Sequence, residues 1–334
     1  MQKVRGVNLG GWLVLEKWIT PSLFTGTTAI DEHTLMQELG YETAKQLLNQ
    51  HRGSFINNQD LLQVKGYGID TVRVPVGYWL FDDQDGFIGG GSRYIDQLFS
   101  WAAELDIRVI LCLHGAPGSQ NGNDHSGRTG RVDWFRRAAY RHRSLDFIER
   151  LCQEYGGQKQ LIAIEPLNEP LIENSSNVRK LMKYYRQAGK IINRICGDSV
   201  SVIVSDGFRA SIVLPGVAEL GDNFVVDSHM YQLFSDEDRN LDFAGHIKKA
   251  QSRRDELAQY SELVDKVFVG EWSVALPVTE QVSYNREQYI EYASAQLEAF
   301  ESSAQSGWCY WTIKTEDKGV WSLIDNPELL SSLT

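Results

Sequence analysis

Eight short runs rich in β-branched and apolar residues recur along the chain, and they restrict its fold more than any other feature. They are VRGVNL from Val4, TVRVPV from Thr71, RVILCLH from Arg108, LIAIEPLN from Leu161, SVSVIVSD from Ser199, NFVVDSHMY from Asn223, KVFVGEWS from Lys266 and GWCYWTIK from Gly307. Between them lie segments such as YIDQLFSWAAEL, VRKLMKYYRQAGKIINRI, IKKAQSRRDELAQYSEL and REQYIEYASAQLEAF, whose apolar residues return every three or four positions, the period of an amphipathic helix. Near-continuous apolar strands alternating with such helices predict a parallel sheet covered by helices, and eight units predict closure into a (β/α)8 TIM barrel. An open doubly wound sheet would need a glycine-rich phosphate turn after its first strand, and NLGGW lacks the GxGxxG spacing. No Pro/Ser linker or low-complexity tract divides the chain, so a single domain over residues 1–334 is expected.

Charge narrows the partners. With 33 Lys and Arg against 44 Asp and Glu, the formal charge of -11 implies an acidic surface that repels phosphate backbones and anionic bilayers. Neither nucleic acid nor a membrane is an expected partner, no apolar run reaches the length of a transmembrane helix, and a monomer is expected. The densest basic run, RTGRVDWFRRAAYRHR from Arg128, has its apolar residues at helical spacing and reads as a solvated helix face. Cys112, Cys152, Cys196 and Cys309 show no CxxC spacing and sit in apolar runs, where cysteine packs as a small hydrophobe and requires no oxidising compartment. The opening MQKVRGVNLGGW enters a strand pattern without the features of a signal peptide. A cytoplasmic location is therefore expected, or a secreted one if a leader has been removed.

In such a barrel the site lies at the C-terminal ends of the strands. The sequence puts Asn8, Arg73, His114, Asn168 with Glu169, Asp206, His229 with Tyr231, Glu271 with Trp272, and Trp311 near those ends. Glu169 and Glu271, on the fourth and seventh runs, can face each other across the mouth. Paired carboxylates flanked by His, Asn and Trp are what glycosidic bond cleavage needs: one protonates the leaving oxygen, the other attacks or stabilises the anomeric carbon. The alternative is two structural acids paired with arginines. The seven histidines show no HxxxH or HxH spacing, so neither a metal nor an organic cofactor is expected.

At this level of detail the chain resembles the family 5 glycoside hydrolases, most closely their fungal exo-β-1,3-glucanase branch. The resemblance rests on an ordered series over nearly the whole chain: RGVNLGGWLVLEKWITPSLF followed by DEHTL, VKGYGIDTVRVPVGYW, LHGAPGSQNG, IEPLNEP, SHMYQLF, VGEWSVAL and WCYWTIKTED. It implies that Glu169 is the general acid/base and Glu271 the nucleophile of a retaining double displacement, with the carboxyl groups about 5 to 5.5 Å apart. For Glu169 to act as an acid, burial and the charge of Glu271 should raise its pKa. It further implies that Arg73 and Tyr231 hold Glu271, that Asn168 bonds the sugar 2-hydroxyl, that His114 and His229 contact hydroxyls or the acid/base, and that Trp311 is the floor under the terminal sugar.

Glu16 and Asp124 match acids that bind outer hydroxyls and close the pocket in the exo branch. The chain departs from the fungal pattern at Asn123, where an aromatic residue is usual, so that Phe234 alone remains of the pair gripping the next sugar. The segment after Glu271 is also shorter and lacks the fungal cysteines. The expected substrate is a β-glucan or β-glucoside cleaved at its non-reducing end. The alternatives are a β-glucosidase or transglycosylase acting on short oligosaccharides or hydrophobic glucosides and, without catalysis, a carbohydrate-binding barrel.

The run IEPLNEP contains a second glutamate, Glu165. Four residues of strand span about 13 Å, which would put Glu165 far down the wall from Glu169, facing inward and in need of a cation. Arg5 and Arg73 are the candidate partners.

Overall fold

A computed structural model describes residues 1–333. Strands β1 (Val4–Asn8), β2 (Thr71–Gly77), β3 (Arg108–Gly115), β4 (Leu161–Glu165), β5 (Ser201–Ser205), β6 (Phe224–Met230), β7 (Val267–Trp272) and β8 (Gly307–Tyr310) pair in sequence order into a closed parallel barrel. The ring shuts where β1 meets β8, with Val4 beside Gly307 and Val7 beside Tyr310. The architecture is the (β/α)8 barrel that the repeating pattern predicts.

Strand alternation divides the barrel into concentric shells. Outward residues such as Val7, Val72, Leu111, Ile164, Val202 and Val269 are buried against the helices in the main core. Inward, the floor is apolar, a cluster of Val4, Ile110, Ala163, Ile203, Val225, Phe268 and Cys309. Nearer the mouth, at inward positions of β1, β2, β3, β4 and β6, stand Asn8, Arg73, Cys112, Glu165 and Asp227, all fully buried. The interior thus changes from apolar to ionic towards the mouth.

Helices α4 (Ser92–Leu105), α5 (Ala138–Tyr155), α6 (Ser175–Cys196), α9 (Phe243–Ser261) and α10 (Arg286–Ser303) fall where helical spacing predicts them. The basic run departs from expectation, because α5 begins only at Ala138 and residues 128–137 form a loop. Trp134 and Phe135 are buried there, and Arg141 Nη1 donates to both of their carbonyls, at 2.8 and 3.0 Å. Hydrogen-bonded turns, rather than a helix face, use the apolar residues of that stretch.

Three helices between β1 and β2, namely α1 (Glu32–Leu39), α2 (Tyr41–Ser54) and α3 (Asn58–Gly66), have mostly polar sequences. Two of them are set by capping boxes, Asp31 with Thr34 and Asn57 with Asp60. Leu35, Met36, Ala44 and Leu48 pack on Leu15, Phe24, Ala29 and Ile88 in a satellite core. Buried Glu32 ties α1 to the barrel by accepting from Leu15 N at 2.8 Å and Trp79 Nε1 at 2.9 Å, with Arg52 at 3.7 Å. The helices α7 (Ala210–Ala218) and α8 (Asp236–Arg239) complete the set.

Gly307 opens β8 at φ +88°, and a Cβ there would lie 1.9 Å from the Val4 carbonyl oxygen at the closing seam. Both the backbone and the space require glycine. Gly307→Ala should lower stability by about 2 kcal/mol or more in denaturant unfolding. A variant as stable as the wild type would show that the seam tolerates displacement.

Candidate active site

Arg73 organises the mouth from below. It is the third residue of β2 rather than its end, and its side chain is fully buried. Nε donates to Glu165 Oε2 at 2.9 Å, Nη1 to Asn8 Oδ1 and Glu271 Oε1 at 2.9 Å each, and Nη2 to Asn168 Oδ1 at 2.8 Å and Cys112 Sγ at 3.2 Å. Burial opposes its charge, yet the surrounding acids hold its pKa well above the ordinary value. One guanidinium therefore joins five side chains from four strands and the turn after β4.

This geometry bears out the inward-facing Glu165 and its pairing with Arg73, and corrects only its depth in the wall. β4 stops at Glu165, and the chain turns through 166–169 instead of continuing as strand. Glu165 and Glu271 consequently share one guanidinium. Arg5 takes no part: its Nε pairs with Glu301 at 2.8 Å. Burial pushes the Glu165 carboxyl up to about 7.

Glu271, near the end of β7, receives two side-chain hydrogen bonds and a close imidazole. Arg73 Nη1 lies 2.9 Å from Oε1, while Tyr231 Oη at 2.9 Å and His229 Nδ1 at 3.3 Å face Oε2. Burial raises its pKa and Glu169 adds to the shift, while His229 and Arg73 oppose it. Its neighbour Trp272 is not in the site. Period-two alternation turns it outward, where it packs edge-on against Phe300, Trp308 and Tyr310.

Glu169 sits in a tight turn at φ +42°. The turn is held by Asn168 N donating to Leu113 O at 2.9 Å, Gln120 Nε2 to Asn168 O at 3.0 Å and Asn121 Nδ2 to Glu169 O at 3.1 Å. Both carboxylate oxygens meet imidazoles: Oε1 is 2.6 Å from His229 Nδ1, and Oε2 is 3.0 Å from His125 Nε2. Burial alone would raise the pKa of Glu169, but His125 and His229 hold it well below the usual carboxylate range. This overturns the expectation of a raised pKa, because two cations outweigh the desolvation of one anion. His229 also faces Asp227 Oδ2 through Nε2 at 3.2 Å, so both of its nitrogens address carboxylates and its pKa stands well above normal despite burial.

The Glu169–Glu271 spacing is short: one oxygen of each lies within 4.8 Å of the other and of His229. These three residues, or Glu165, Asp227 and His229, could surround a cation. Such an ion would displace the protons of His229 and stand near Arg73, which disfavours it electrostatically.

The remaining predicted residues line the same mouth. Trp311 is almost fully buried and stacks on His114, with ring centroids 5.5 Å apart and planes inclined by 10°. Burial drives the His114 pKa well below normal, leaving a neutral ring whose Nε2 is 3.5 Å from Asn168 Nδ2. Glu16 is buried; Oε2 accepts from Trp18 Nε1 at 3.0 Å, Oε1 has no partner, and burial raises its pKa to about 8. Asp124 begins a short 3-10 turn after exposed Asn123. Phe234 is 62 % exposed, edge-on to Tyr231 at 5.4 Å.

Sequence reasoning missed His125, Asp227, Trp18 and Trp321. Trp321 extends the aromatic rim, with centroids 5.1 Å from Trp18 and 5.9 Å from Tyr231. His125 and Trp321 lie in loops with no periodicity to mark them, whereas Asp227 could have been found from its inward register with His229 on β6. Asp206 does not join Glu169 and Glu271; it accepts from Ser228 Oγ at 2.8 Å, and burial raises its pKa to about 6.

The family description "Cellulase (glycosyl hydrolase family 5)" matches residues 32–317. A relative from Aspergillus fumigatus named "Probable glucan 1,3-beta-glucosidase A" is 36% identical over 96% of this chain and 85% of its own. "Glucan 1,3-beta-glucosidase 2" of Wickerhamomyces anomalus is 33% identical over 96% of this chain and 85% of its own. Among solved structures, rutinosidase from Aspergillus niger superposes with a TM-score of 0.85 at 23% identity, covering 98% of each chain, a likeness of fold.

The raised pKa of Glu16 has a measurable consequence. The folded state holds the proton that the unfolded chain releases near 4.5, so its stabilisation is complete below that pH and is lost as pH rises through about 8. Glu16→Gln, which mimics the protonated acid, should melt a few degrees above the wild type at pH 8.5, with the difference vanishing near pH 4.5. A pH-independent difference in melting scans would refute the buried protonated acid.

Proposed function

The chain belongs to glycosyl hydrolase family 5, and on that basis we propose that it is a retaining, exo-acting β-glucosidase that releases glucose from the non-reducing end of β-1,3-glucans or short β-glucosides. The observation that carries this reading is the spacing of Glu169 and Glu271, with an oxygen of each within 4.8 Å. A retaining pair needs about 5–5.5 Å between carboxyl groups, whereas an inverting pair leaves about 6.5–9.5 Å for a water.

In the first step Glu271 attacks the anomeric carbon while Glu169 protonates the departing oxygen, forming a covalent glycosyl-enzyme. In the second, Glu169 takes a proton from the incoming water, which releases the sugar with retained configuration. Arg73 and Tyr231 aim the Glu271 carboxylate, and the donors that hold it keep the uninvolved oxygen paired throughout. Asn168, fixed through Oδ1 by Arg73, is left with its amide nitrogen for the sugar 2-hydroxyl. Trp311 supplies the flat apolar face against which a sugar ring packs.

Two observations support exo action. Glu16 is buried with one carboxyl oxygen unpartnered, a polar group suited to a substrate hydroxyl. Asp124 stands on the loop that also carries His125, a residue in contact with the acid/base. The exposed rings of Phe234, edge-on to Tyr231, and of Phe208, 6.1 Å from His229, border the mouth. They support acceptance of an apolar aglycone as well as a second glucose.

Incubation with laminari-oligosaccharides should release β-glucose first. Initial α-glucose would contradict retention, and internal fragments without glucose would contradict exo action. Glu271→Gln should bind substrate but reduce turnover by about 10⁴-fold or more; full activity would remove Glu271 from the nucleophile role. Glu169→Ala should slow disaccharides by about 10²–10⁴-fold and activated aryl glucosides far less. Equal losses on the two would count against Glu169 as the acid.

A further inference from the structure

His125 is a loop residue that neither the family description nor the names of the relatives assign to the reaction, yet its imidazole reaches the proposed acid/base. Its Nε2 lies 3.0 Å from Glu169 Oε2 and, on another side, 2.9 Å from Asn121 Nδ2. These two neighbours make opposite demands on one nitrogen. A carboxylate needs an N–H there, whereas an amide NH2 group needs a lone pair. Each protonation state satisfies one neighbour and leaves the other unmatched, so the nitrogen is poised between two arrangements that differ by the position of a single proton.

We propose that His125 is the proton store of Glu169: it holds the acid's proton in the resting site and passes it to Glu169 Oε2 when the glycosidic oxygen arrives. This inference rests on the retaining reading above. In the resting arrangement the protonated ring donates Nε2–H to the Glu169 carboxylate. As substrate binds, that proton moves to Oε2 and then to the leaving oxygen, whose bond to the anomeric carbon breaks while the Glu271 bond forms. The Nε2 lone pair left behind accepts from Asn121 Nδ2. In deglycosylation, water loses its proton to Glu169, and this proton returns to His125, so the cycle closes without any other proton donor.

The two imidazoles on Glu169 are not equivalent. His229 is locked between Glu169, Glu271 and Asp227 on rigid strand β6 and has no neutral arrangement that satisfies its partners. His125 is carried by a short 3-10 turn (Asp124–Ser126) in the loop after β3. That loop is anchored by Ser119 Oγ against Ser126 Oγ at 2.7 Å, and it turns at Gly127, φ +84°, where a Cβ would meet the Trp79 ring at 2.4 Å. The charged groups acting on His125 come from several elements: Glu169 from the turn after β4, Glu16 from the loop after β1 and Glu271 from β7; beside it lie Asp124, which accepts from its backbone N–H at 3.0 Å, and the ring of His114 at 5.4 Å. Burial lowers its pKa, but Glu169, then Glu16 and Glu271, raise it to about 9. His229, charged on the other oxygen of Glu169, opposes the charge of His125, whereas the neutral His114 does not.

A residue that only filled space would not set a pH limit, so the alkaline limb of kcat/KM on laminaribiose is the deciding measurement. In the wild type, loss of the stored proton should govern that limb. In His125→Gln and His125→Asn the proton must reside on Glu169 or His229 alone, and the limb should move down by about one pH unit or more. At pH 8 the variants should lose about 30-fold or more on laminaribiose and several-fold less on 2,4-dinitrophenyl β-glucoside, whose leaving group needs no protonation. An unmoved alkaline limb, or equal losses on both substrates, would overturn the proposal. Should neither variant fold, imidazole ¹⁵N shifts of the wild-type chain decide it: His125 should be charged at pH 7, and a neutral ring at that pH would overturn the inference. A wild-type protein that cleaves no β-glucoside would instead defeat the functional reading itself, independently of His125.

Discussion

A single buried guanidinium holds the mouth of this barrel together. Arg73 has no solvent contact, and every direction in which it donates is occupied by a different part of the chain: Asn8 on β1, Cys112 on β3, Glu165 at the end of β4, Asn168 in the following turn and Glu271 on β7. Because guanidinium is planar and its donors are fixed in direction, these partners are positioned relative to one another as well as to it. An unpaired buried cation would be strongly destabilising, so folding and placement of Glu271 are the same event.

Above this layer the site has more acids than cations, and the distribution of protons follows from which acids obtain a partner. Glu169 has two imidazoles and is held ionised. Glu16 and Asp206, buried with neutral hydrogen-bond partners, rise to about 8 and 6. Glu165 shares Arg73 with a neighbour and rises to about 7. The neutral His114 against Trp311 completes the pattern, since a ring stacked on an aromatic and lacking a carboxylate of its own has little to oppose desolvation. A ligand approaching this mouth meets an ionised Glu169 flanked by two charged imidazoles, and in Glu16 an outer acid that is itself a donor.

Much of the scaffold was legible along the chain because it depends on local period. The eight strands were visible as β-rich runs, and the five long helices as apolar spacing. The three helices before β2 were not visible, because they are short and mostly polar: capping boxes start α1 and α3, α1 and α2 pack on a satellite core, and α3 reaches the main core through Leu61 and Val64. The basic run was misread for the converse reason: Trp134 and Phe135 have helical spacing, but their backbone carbonyls are claimed by Arg141. At the site, the motifs around Glu169 and Glu271 stood out, while His125, in a glycine-rich loop, carried no signal that would connect it to a residue more than forty positions away.

Sequence alone determined the alternation of strand and helix, the closed count of eight, and the two strand-end glutamates, because each depends on residue type and spacing within a short window. Only the tertiary structure decided which charges meet. It ended β4 at Glu165, brought that residue onto the guanidinium that also holds Glu271, turned Trp272 out into the core, and set two imidazoles on Glu169. Protonation in a buried site depends on distances of a few ångströms between groups far apart in the chain, and those distances exist only once the barrel has closed.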